Sequence, residues 1–526
     1  KSRKGKVQLI DGTSTWTPMR KSLGSKRREI TDDQIGELTT LFEDFREGQR
    51  SKLFSTADFG YRKVTVERPL RLNFQASLER IEQLKLQKTF ENLATSRKKD
   101  EKVKEKEIAN GRKYQDELLA ALGKLDASKV WKNRDEFEEK LGGVLTGLSK
   151  KVSATLKKAI LAALSERDET ADICTDKDGN PEGDPDLRDT ENVPLTEDVN
   201  EFFEREVRPH VRDAWINTSV VDHKDGEVGK IGYEINYNRY FYQFQPPREL
   251  EEIEADIKLI EASFVSTLRR ITGVEHSEAP ANANLRRFLR YPKYQATPLS
   301  WTLSLPSHWK LRRLKHLSLV RPSNVDKKSI EGETAVKLCN YVDVYKNEFI
   351  TANLDFMNAT ATEPQIEVFS LRRGDILITK DSETWMDIAV PAYVAEDMDN
   401  VVCGYHLAVI RPFSPDCNSR YLFRCFEAEG LCDQFRVSAN GVTRFGLSIG
   451  SIDTALFPVP PIEEQARIAD FIDRETSQID DLIHGQPPSN SGRGLMTRMV
   501  TLLREYRTAL ISAAVTGRID VGEEAI

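Results

Sequence analysis

The chain has 526 residues, 39% of them hydrophobic, a length and composition that exclude a single small domain and favour several. Its formal net charge of −7 excludes an overall basic surface, so contact with nucleic acid would need a local basic patch or a partner. The six cysteines form no C-x-x-C pair, which argues against a zinc site or a disulfide framework. There is no apolar run of about 18 residues and no signal sequence, so we expect a cytoplasmic protein that does not bind membranes.

Residues 1–75 predict the end of an α/β domain. The run "KVQLI" (6–10) is typical of a strand. The run "TDDQIGELTTLFEDF" (31–45) predicts a capped helix with one apolar face, which consists of Ile35, Leu38, Leu41 and Phe45.

Residues 76–170 are helical in pattern and highly charged. The charges alternate in sign along "RKKDEKVKEKE" (97–107), which favours a solvated helix face over a nucleic-acid patch. The run "DEFEEKLGGVLTGLSKKVSATLKKAILAAL" (135–164) predicts a packed helix with an irregularity at its Gly-Gly pair.

Residues 172–200 are rich in Asp, Gly and Pro and predict a loop. Asp176, Asp178 and Asn180 alternate as they would in a calcium-binding loop. Pro181 stands where the sharp turn of such a loop demands Gly, and no glutamate ligand follows at the expected position. An ordinary turn is therefore the favoured interpretation.

Residues 229–271 combine an aromatic-rich extended stretch with a long amphipathic helix. Such a helix buries its stripe against other helices, so we interpret it as an assembly element. The stripe consists of Leu250, Ile253, Ile257, Ile260, Phe264 and Leu268. The small and polar residues of 272–290 predict a linker between domains.

Residues 291–460 change character, because short β-type runs separated by turns predict a mixed, mostly β domain. The polar loop after its strand "ILIT" offers groups suited to phosphates and base edges, namely Lys380, Asp381, Ser382 and Thr384. An ordinary surface turn explains the same residue types equally well. Trp385 is interpreted as packing, because base stacking on aromatic residues is more typical of single-stranded targets.

Residues 461–521 return to helix, with apolar positions spaced mostly three or four residues apart. These positions are Ile468, Ile472, Ile479, Leu482, Leu495, Met499, Leu502, Tyr506, Ala509 and Ala513. The two prolines and three glycines of "HGQPPSNSGRG" (484–494) interrupt the helix. The second helix can then fold back on the first or cross to a neighbouring chain, and we favour the fold-back. Two ordinary core helices would also explain the pattern.

Four runs together resemble the specificity subunit of type I restriction-modification systems, including the "PPxxEQ" entry to that family's conserved helical region. The runs are "YPKYQATPLSWTLSLPSHWKLRRLKHL" (291–317), "GDILITKDSETWMDIAVPAYV" (374–394), "GVTRFGLSIGSIDTALFPVPPIEEQARIADFIDRETSQIDDLI" (441–483) and "YRTALISAAVTGRID" (506–520). The resemblance implies one target-recognition domain, followed by helices that serve as spacer and docking rod.

The front part resembles the C-terminal third of the modification subunit of the same systems, an adenine-specific DNA methyltransferase. The resembling runs are "RKGKVQLID" (3–11), "DLRDTENVPL" (186–195), "FFEREVRPHVRDAWI" (202–216) and "KIGYEINYNRYFYQFQPPRELEEIEADIKLI" (230–260). That family's Asn-Pro-Pro-aromatic loop and Gly-rich cofactor turn are not found in this chain. We therefore assign no catalytic residue to it and expect S-adenosylmethionine only in a complete methyltransferase complex.

An enzyme that flips adenine out of a duplex needs a separate reader for the flanking sequence. For this reader, residues outside the polar loop add candidates for DNA binding, namely Tyr405, His406, Asn440 and Arg444. His406 lies beside an apolar strand, where a hydrogen-bonded core histidine is the competing interpretation.

The sequence as a whole predicts an α+β chain with a helical methyltransferase tail, a mostly β target-recognition domain and C-terminal coiled-coil helices. The implied partners are double-stranded DNA and a modification subunit, with a restriction or translocase subunit as a further option. Because one recognition domain reads half of a split site, a homodimer is also an open alternative. A natural fusion, an engineered fusion, a fragment of a longer modification enzyme and a decoy that does not read DNA all stay open.

Overall fold

The computed structural model describes residues 3–23, 26–96, 98, 100–272, 288–299, 301–441, 444–484 and 493–522. The chain divides into two units, of which the first contains residues 1–7 and 54–234 and the second contains residues 8–53 and 235–526. The domain boundaries predicted at residues 75 and 290 stay a prediction. Within the first unit, strand pairing joins residues 60–67 to partners between residues 189 and 233.

The first elements along the chain are β1 (Lys6–Ile10), β2 (Thr17–Leu23), β3 (Lys26–Glu29), α1 (Asp32–Asp44) and β4 (Ser51–Ser55). The predicted strand and helix are both confirmed, and Thr31 caps α1 through a capping box with Gln34. None of the residues of α1 is buried, and Ile35 on its apolar face is 51% exposed.

The first unit contains β5 (Gly60–Glu67), β6 (Leu72–Phe74), α2 (Leu78–Lys85), α3 (Lys88–Glu91), α4 (Glu101–Leu122), α5 (Arg134–Leu145), α6 (Ala154–Ala163), β7 (Ser165–Arg167), β8 (Asp189–Pro194), α7 (Val199–Glu206), β9 (Trp215–Ile216) and β10 (Lys230–Tyr233). Its main sheet has the order β10-β5-β8, and β9 also pairs with β5. The prediction of helices between residues 76 and 170 is confirmed.

Two local predictions in this unit need correction. The single helix expected over 135–164 is two helices, since α5 ends before Thr146 and Ser153 caps α6. The Gly-Gly pair lies inside α5, so it does not mark the break. The expected loop of 172–200 contains strand β8, which pairs with β5. Glu191 and Val193 alternate along β8 and lie on its buried face.

The turn interpretation of the calcium-like motif is confirmed. The carboxylate of Asp176 accepts the backbone N–H groups of Asp178 and Asn180, each at 2.9 Å. Gly179 has a φ of +83°, which suits a tight turn. Because backbone donors occupy the Asp176 carboxylate, the side chain closes the turn.

The second unit continues with α8 (Tyr237–Phe241), α9 (Leu250–Thr272), β11 (Tyr294–Leu299), β12 (Thr302–Pro306), β13 (Lys310–Arg313), β14 (Ser318–Pro322), β15 (Thr334–Cys339), α10 (Tyr341–Lys346), β16 (Phe349–Ile350), β17 (Met357–Ala361), α11 (Glu363–Phe369), β18 (Ile376–Thr379), β19 (Asp381–Ser382), β20 (Pro391–Val394), β21 (Val401–Cys403), β22 (Leu407–Pro412), α12 (Ser419–Glu427), α13 (Glu429–Ser438), β23 (Phe445–Gly446), α14 (Ile449–Asp453), β24 (Leu456–Val459), α15 (Ile462–His484) and α16 (Arg493–Val515). The extended stretch expected before α9 contains the short helix α8.

The mixed α+β architecture is confirmed by a five-stranded sheet of order β14-β22-β18-β20-β16 and a three-stranded sheet of order β17-β15-β21. Strand β18 lies between two cores: Ile376 and Ile378 join the core that contains the long helices, whereas Leu377 joins the core of the smaller sheet. Because successive side chains alternate between faces, all four residues of β18 are buried. The loop that follows β18 therefore starts from a fixed point.

The long helices pack within one chain. Helix α16 lies against both α9 and α15. Tyr506 on α16 donates its hydroxyl proton to Glu254 on α9 at 2.8 Å, and Arg507 reaches Asp480 on α15 at 3.4 Å. This is the fold-back arrangement, with the α9 stripe completing the bundle.

The ten residues predicted for assembly divide by burial. Ile468, Ile472, Ile479 and Leu502 are buried in the chain's own core, and Ile257, Leu495, Met499 and Tyr506 pack against the same core. Phe264 and Leu482 are 44% and 55% exposed. Most of the predicted seam therefore stabilises this chain internally, and docking of other subunits through it stays a prediction. Most of the predicted linker (272–290) and of the helix interruption (484–494) lies outside the described residues.

Candidate nucleic-acid interface

Three chain segments that are far apart in sequence meet at the end of β18. The backbone N–H of Lys380 donates to the carbonyl of His406 at 3.0 Å, and Leu447 N–H donates to the carbonyl of Lys380 at 2.9 Å. Strand β19 pairs with β23, which places Asp381 opposite Gly446 and Ser382 opposite Phe445. Backbone hydrogen bonds therefore bring the polar loop, the Tyr405 turn and the Arg444 segment into one cluster.

Asp381 lies at the centre of the charged groups in this cluster. Its Oδ2 accepts from Lys380 Nζ at 2.7 Å and lies 3.2 Å from His406 Nδ1. Arg444 Nη2 in turn lies 2.9 and 3.0 Å from the two ring nitrogens of His406. Lys380, Asp381 and His406 are half-buried, whereas Arg444 is exposed. The chain of contacts thus leads from a fixed strand end to a cation at the surface.

The protonation of the cluster follows from its contacts. Burial raises the pKa of Asp381, but hydrogen bonds from Lys380 and His406 outweigh burial and hold the pKa below its ordinary value. Burial lowers the pKa of His406, and the charge of Arg444 acts in the same direction against the hydrogen bond to Asp381. Near neutral pH Asp381 is therefore ionised and His406 is uncharged.

Two tyrosines that sequence reasoning missed brace the loop from α10. The Tyr341 hydroxyl lies 3.4 Å from the Ser382 hydroxyl, and its ring stacks on Tyr345 with centroids 5.6 Å apart. The charge of Asp387 raises the pKa of the Tyr345 hydroxyl, so Tyr345 lies close to the other end of the loop. The four-residue spacing of these tyrosines could have predicted that their rings meet on one face of a helix.

The remaining predicted residues have local roles. The Thr384 side chain accepts from Met386 N–H at 3.3 Å and caps the short turn Trp385–Asp387. Trp385 makes an edge contact with Tyr242 at 6.2 Å, as the packing interpretation predicts. The Tyr405 ring lies 3.7 Å from the His406 ring. Asn440 exchanges both backbone hydrogen bonds with Gly446, and Asn440 is exposed.

The "PPxxEQ" motif fixes the start of α15. Buried Glu464 accepts hydrogen bonds from the Tyr291 hydroxyl at 2.7 Å and from Trp309 Nε1 at 3.0 Å. Gln465 donates to the carbonyls of Asp416 and Pro460, each at 2.8 Å. Both side chains therefore join α15 to loops of the β domain.

A second charged network, which sequence reasoning did not identify, lies where α12 meets α15 and α16. Arg424 is 2% exposed as a side chain and pairs with Glu348, Glu427 and Asp473. Burial lowers the pKa of Arg424, but the three carboxylates outweigh burial and raise it. Arg507 from α16 shares Glu348 and Glu427 with Arg424. The network joins α12 and Glu348, the residue before β16, to both α15 and α16.

The described part of the chain limits other chemistries. Its His, Cys, Asp and Glu side chains form no group of three or more that could hold a metal ion. All six cysteines are described, and each is a free thiol. In the ranges that the structure covers, no helix combines the length and apolar character needed to cross a bilayer.

Residues 306–488 match the family model described as the type I restriction modification DNA specificity domain. The matched segment contains β18, the polar loop, the Arg444 segment and α15. Over these residues the chain is similar to the DNA specificity domains of type I restriction-modification systems.

Known proteins of this class align with parts of the chain. The specificity subunit of the type I restriction enzyme EcoBI from Escherichia coli is 28% identical over 102 residues, which make up 19% of this chain and 19% of that protein. The chain therefore spans about a fifth of this curated relative. Two solved specificity subunits, from M. genitalium and Thermoanaerobacter tengcongensis, align over 34% and 57% of this chain and 42% and 66% of theirs, with 14% and 13% identity and TM-scores of 0.22 and 0.27.

Proposed function

We propose that this chain reads DNA sequence and assembles subunits for a type I restriction-modification methyltransferase that methylates adenine in cytoplasmic host DNA. Residues 291–460 would read the duplex, and the helices would hold this reader to a modification subunit. In this proposal the modification subunit binds S-adenosylmethionine and carries the catalytic residues.

One observation carries the proposal: residues predicted separately for DNA contact lie in one cluster within a matched specificity domain. The cluster presents an exposed guanidinium on Arg444 and a half-buried ammonium on Lys380. Cations at the surface position a protein on phosphates, and groups fixed on a rigid scaffold read base edges. The net charge of −7 makes such a local cluster necessary.

The resemblance of the front part to a modification subunit supports a further step, in which residues 1–271 form the tail of that subunit. In the proposal this tail joins the reader to the methyltransferase within one polypeptide, in place of a contact between separate chains. A restriction or translocase subunit would then bind the assembled complex.

Binding of the full chain to a library of duplexes tests the reading function. We expect a defined preferred sequence in the wild type, and weaker binding in Lys380→Ala and Arg444→Ala. Lys140→Ala is a control with the same charge change, since Lys140 is 60% exposed on α5. Unchanged affinity and preference in both cluster variants would refute the assignment of this site. A wild-type chain with no sequence preference would instead favour an assembly or decoy protein.

A methylome of cells that express the complete system tests the methylation step. Adenine methylation at the sequence that this chain prefers in vitro would support the proposal. Methylation at an unrelated sequence, or none in the presence of a modification subunit, would contradict it.

A further inference from the structure

The cluster consists of Lys380, Asp381, His406 and Arg444. Its first three members contact one another, whereas Arg444 keeps hydrogen-bond donors that a ligand could use. Among the described residues, the contacts of Arg444 use only Nη2, which faces the ring nitrogens of His406 at 2.9 and 3.0 Å. A guanidinium carries five N–H donors, two of them on Nη2, so one N–H of Nη2 together with an N–H of Nε or of Nη1 can form a fork to a ligand. Arg444 is exposed, which leaves these donors accessible.

One carboxylate oxygen of Asp381 is already engaged within the cluster. Its Oδ2 is shared by Lys380 Nζ at 2.7 Å and His406 Nδ1 at 3.2 Å. Its Oδ1 lies against the backbone of Gly446, where an added Cβ would come within 3.1 Å of it. Contact of Oδ2 with a base would require Asp381 to release Lys380 and His406, so we assign this oxygen the role of positioning them.

His406 transmits this position to Arg444. Because Asp381 is an acceptor, the neutral imidazole carries its proton on Nδ1. Arg444 Nη2 is nearly equidistant from the two ring nitrogens, at 2.9 and 3.0 Å, so the guanidinium nitrogen lies over the face of the ring. The ring is also held by Tyr405, whose centroid lies 3.7 Å away. The guanidinium is therefore oriented through side chains anchored on β19 and on the turn before β22.

We propose that Arg444 reads the O6 and N7 edge of one guanine, and that Asp381 and His406 are positioning residues for that contact. This inference rests on the proposed function, since it requires that the cluster face DNA. A planar fork of donors matches the two acceptors that guanine presents in the major groove. A fixed fork discriminates between bases, whereas an unrestrained cation contacts any phosphate.

The test uses the full chain and its preferred duplex, with each guanine replaced in turn by 7-deazaguanine, which lacks the N7 acceptor. For the wild type we expect one position at which the replacement weakens binding by roughly 5- to 150-fold. Arg444→Lys keeps the charge but lacks the fork, so we expect this variant to lose discrimination at that position alone. Asp381→Asn and His406→Gln should reduce discrimination at the same position and leave other positions unchanged.

The outcomes separate this inference from the proposed function. Retained discrimination at every guanine in Arg444→Lys would overturn the inference while the preference of the wild type upheld the proposed function. Equal weakening on all sequences in Arg444→Ala, with a salt dependence reduced by about one ion, would assign Arg444 to a phosphate and also overturn it. A wild type without sequence preference would overturn the proposed function itself.

Discussion

Arg424 on α12 donates from Nη2 to the Asp473 carboxylate on α15 at 2.6 Å, and this ion pair joins α12 to the first C-terminal helix. Removing a buried cation leaves its carboxylate partners uncompensated. We expect Arg424→Ala to lower the free energy of unfolding by about 3–5 kcal/mol in urea denaturation. Arg420 also pairs with Asp473, but its side chain is 42% exposed. Arg420→Ala should therefore cost less than about 1 kcal/mol, and equal losses would contradict the role of burial.

The Glu464 carboxylate is expected to hold the opening segment of the β domain on α15. Glu464→Gln replaces a charged acceptor of the Tyr291 hydroxyl and the Trp309 indole by a neutral one. We expect a loss of about 1–3 kcal/mol and a change in Trp309 fluorescence during urea unfolding. Glu463→Gln is the matched control, because its neighbouring carboxylate is exposed. Equal stability of the two variants would argue against this contact.

Gly441 is expected to be required for the position of Arg444. Its φ is +136°, and an added Cβ would lie 1.9 Å from the carbonyl oxygen of Arg444. Gly441→Ala should strain the segment by about 1–3 kcal/mol and abolish sequence preference in duplex binding, with the circular dichroism spectrum unchanged. In the control Gly450→Ala, the added Cβ meets only Ser448 Oγ at 3.9 Å. Retained preference in Gly441→Ala would show that Arg444 tolerates the displacement.

Mild acid is expected to destabilise the recognition cluster. Since the folded pKa of His406 lies below its ordinary value of 6.5, the unfolded chain takes up this proton at higher pH than the folded chain. Stability from His406 is thus complete above pH 6.5 and is lost as pH falls from there towards the folded pKa. The lowered pKa of Asp381 acts in a separate window below 3.8. Urea unfolding at pH 7.5 and pH 5 should show a smaller loss in His406→Gln than in the wild type.

The fold-back of α16 predicts the response to a stiffer connection. Replacing residues 485–492 by a straight helical spacer prevents reversal of the chain, so α16 could pack only on a second copy. We expect light scattering to show a dimer for this variant at a lower concentration than for the wild type. A strict wild-type dimer that becomes a monomer with the spacer would contradict the fold-back.

Local patterns were sufficient for helix α1, for the helical character of residues 76–170 and for the strands around "ILIT". Periodicity and capping residues are encoded within a few positions, as the Thr31 cap of α1 shows. Pairing between distant segments is not encoded in this way. The alternating residues of β8 therefore appeared to be loop, because only β5, more than a hundred positions earlier, makes them a buried strand.

The sequence by itself indicated the class of domain that residues 306–488 resemble, through motifs such as "PPxxEQ", and it indicated most residues of the cluster around Asp381. Only the tertiary structure decided which of those side chains are engaged by neighbours in the chain and which stay exposed to a ligand. Asp381 seemed as suited to a base edge as Arg444, but in the folded chain Lys380 and His406 occupy its Oδ2, whereas Arg444 stays exposed. The physical reason is that hydrogen-bonding capacity belongs to a residue type, whereas its availability depends on neighbours that only folding brings together.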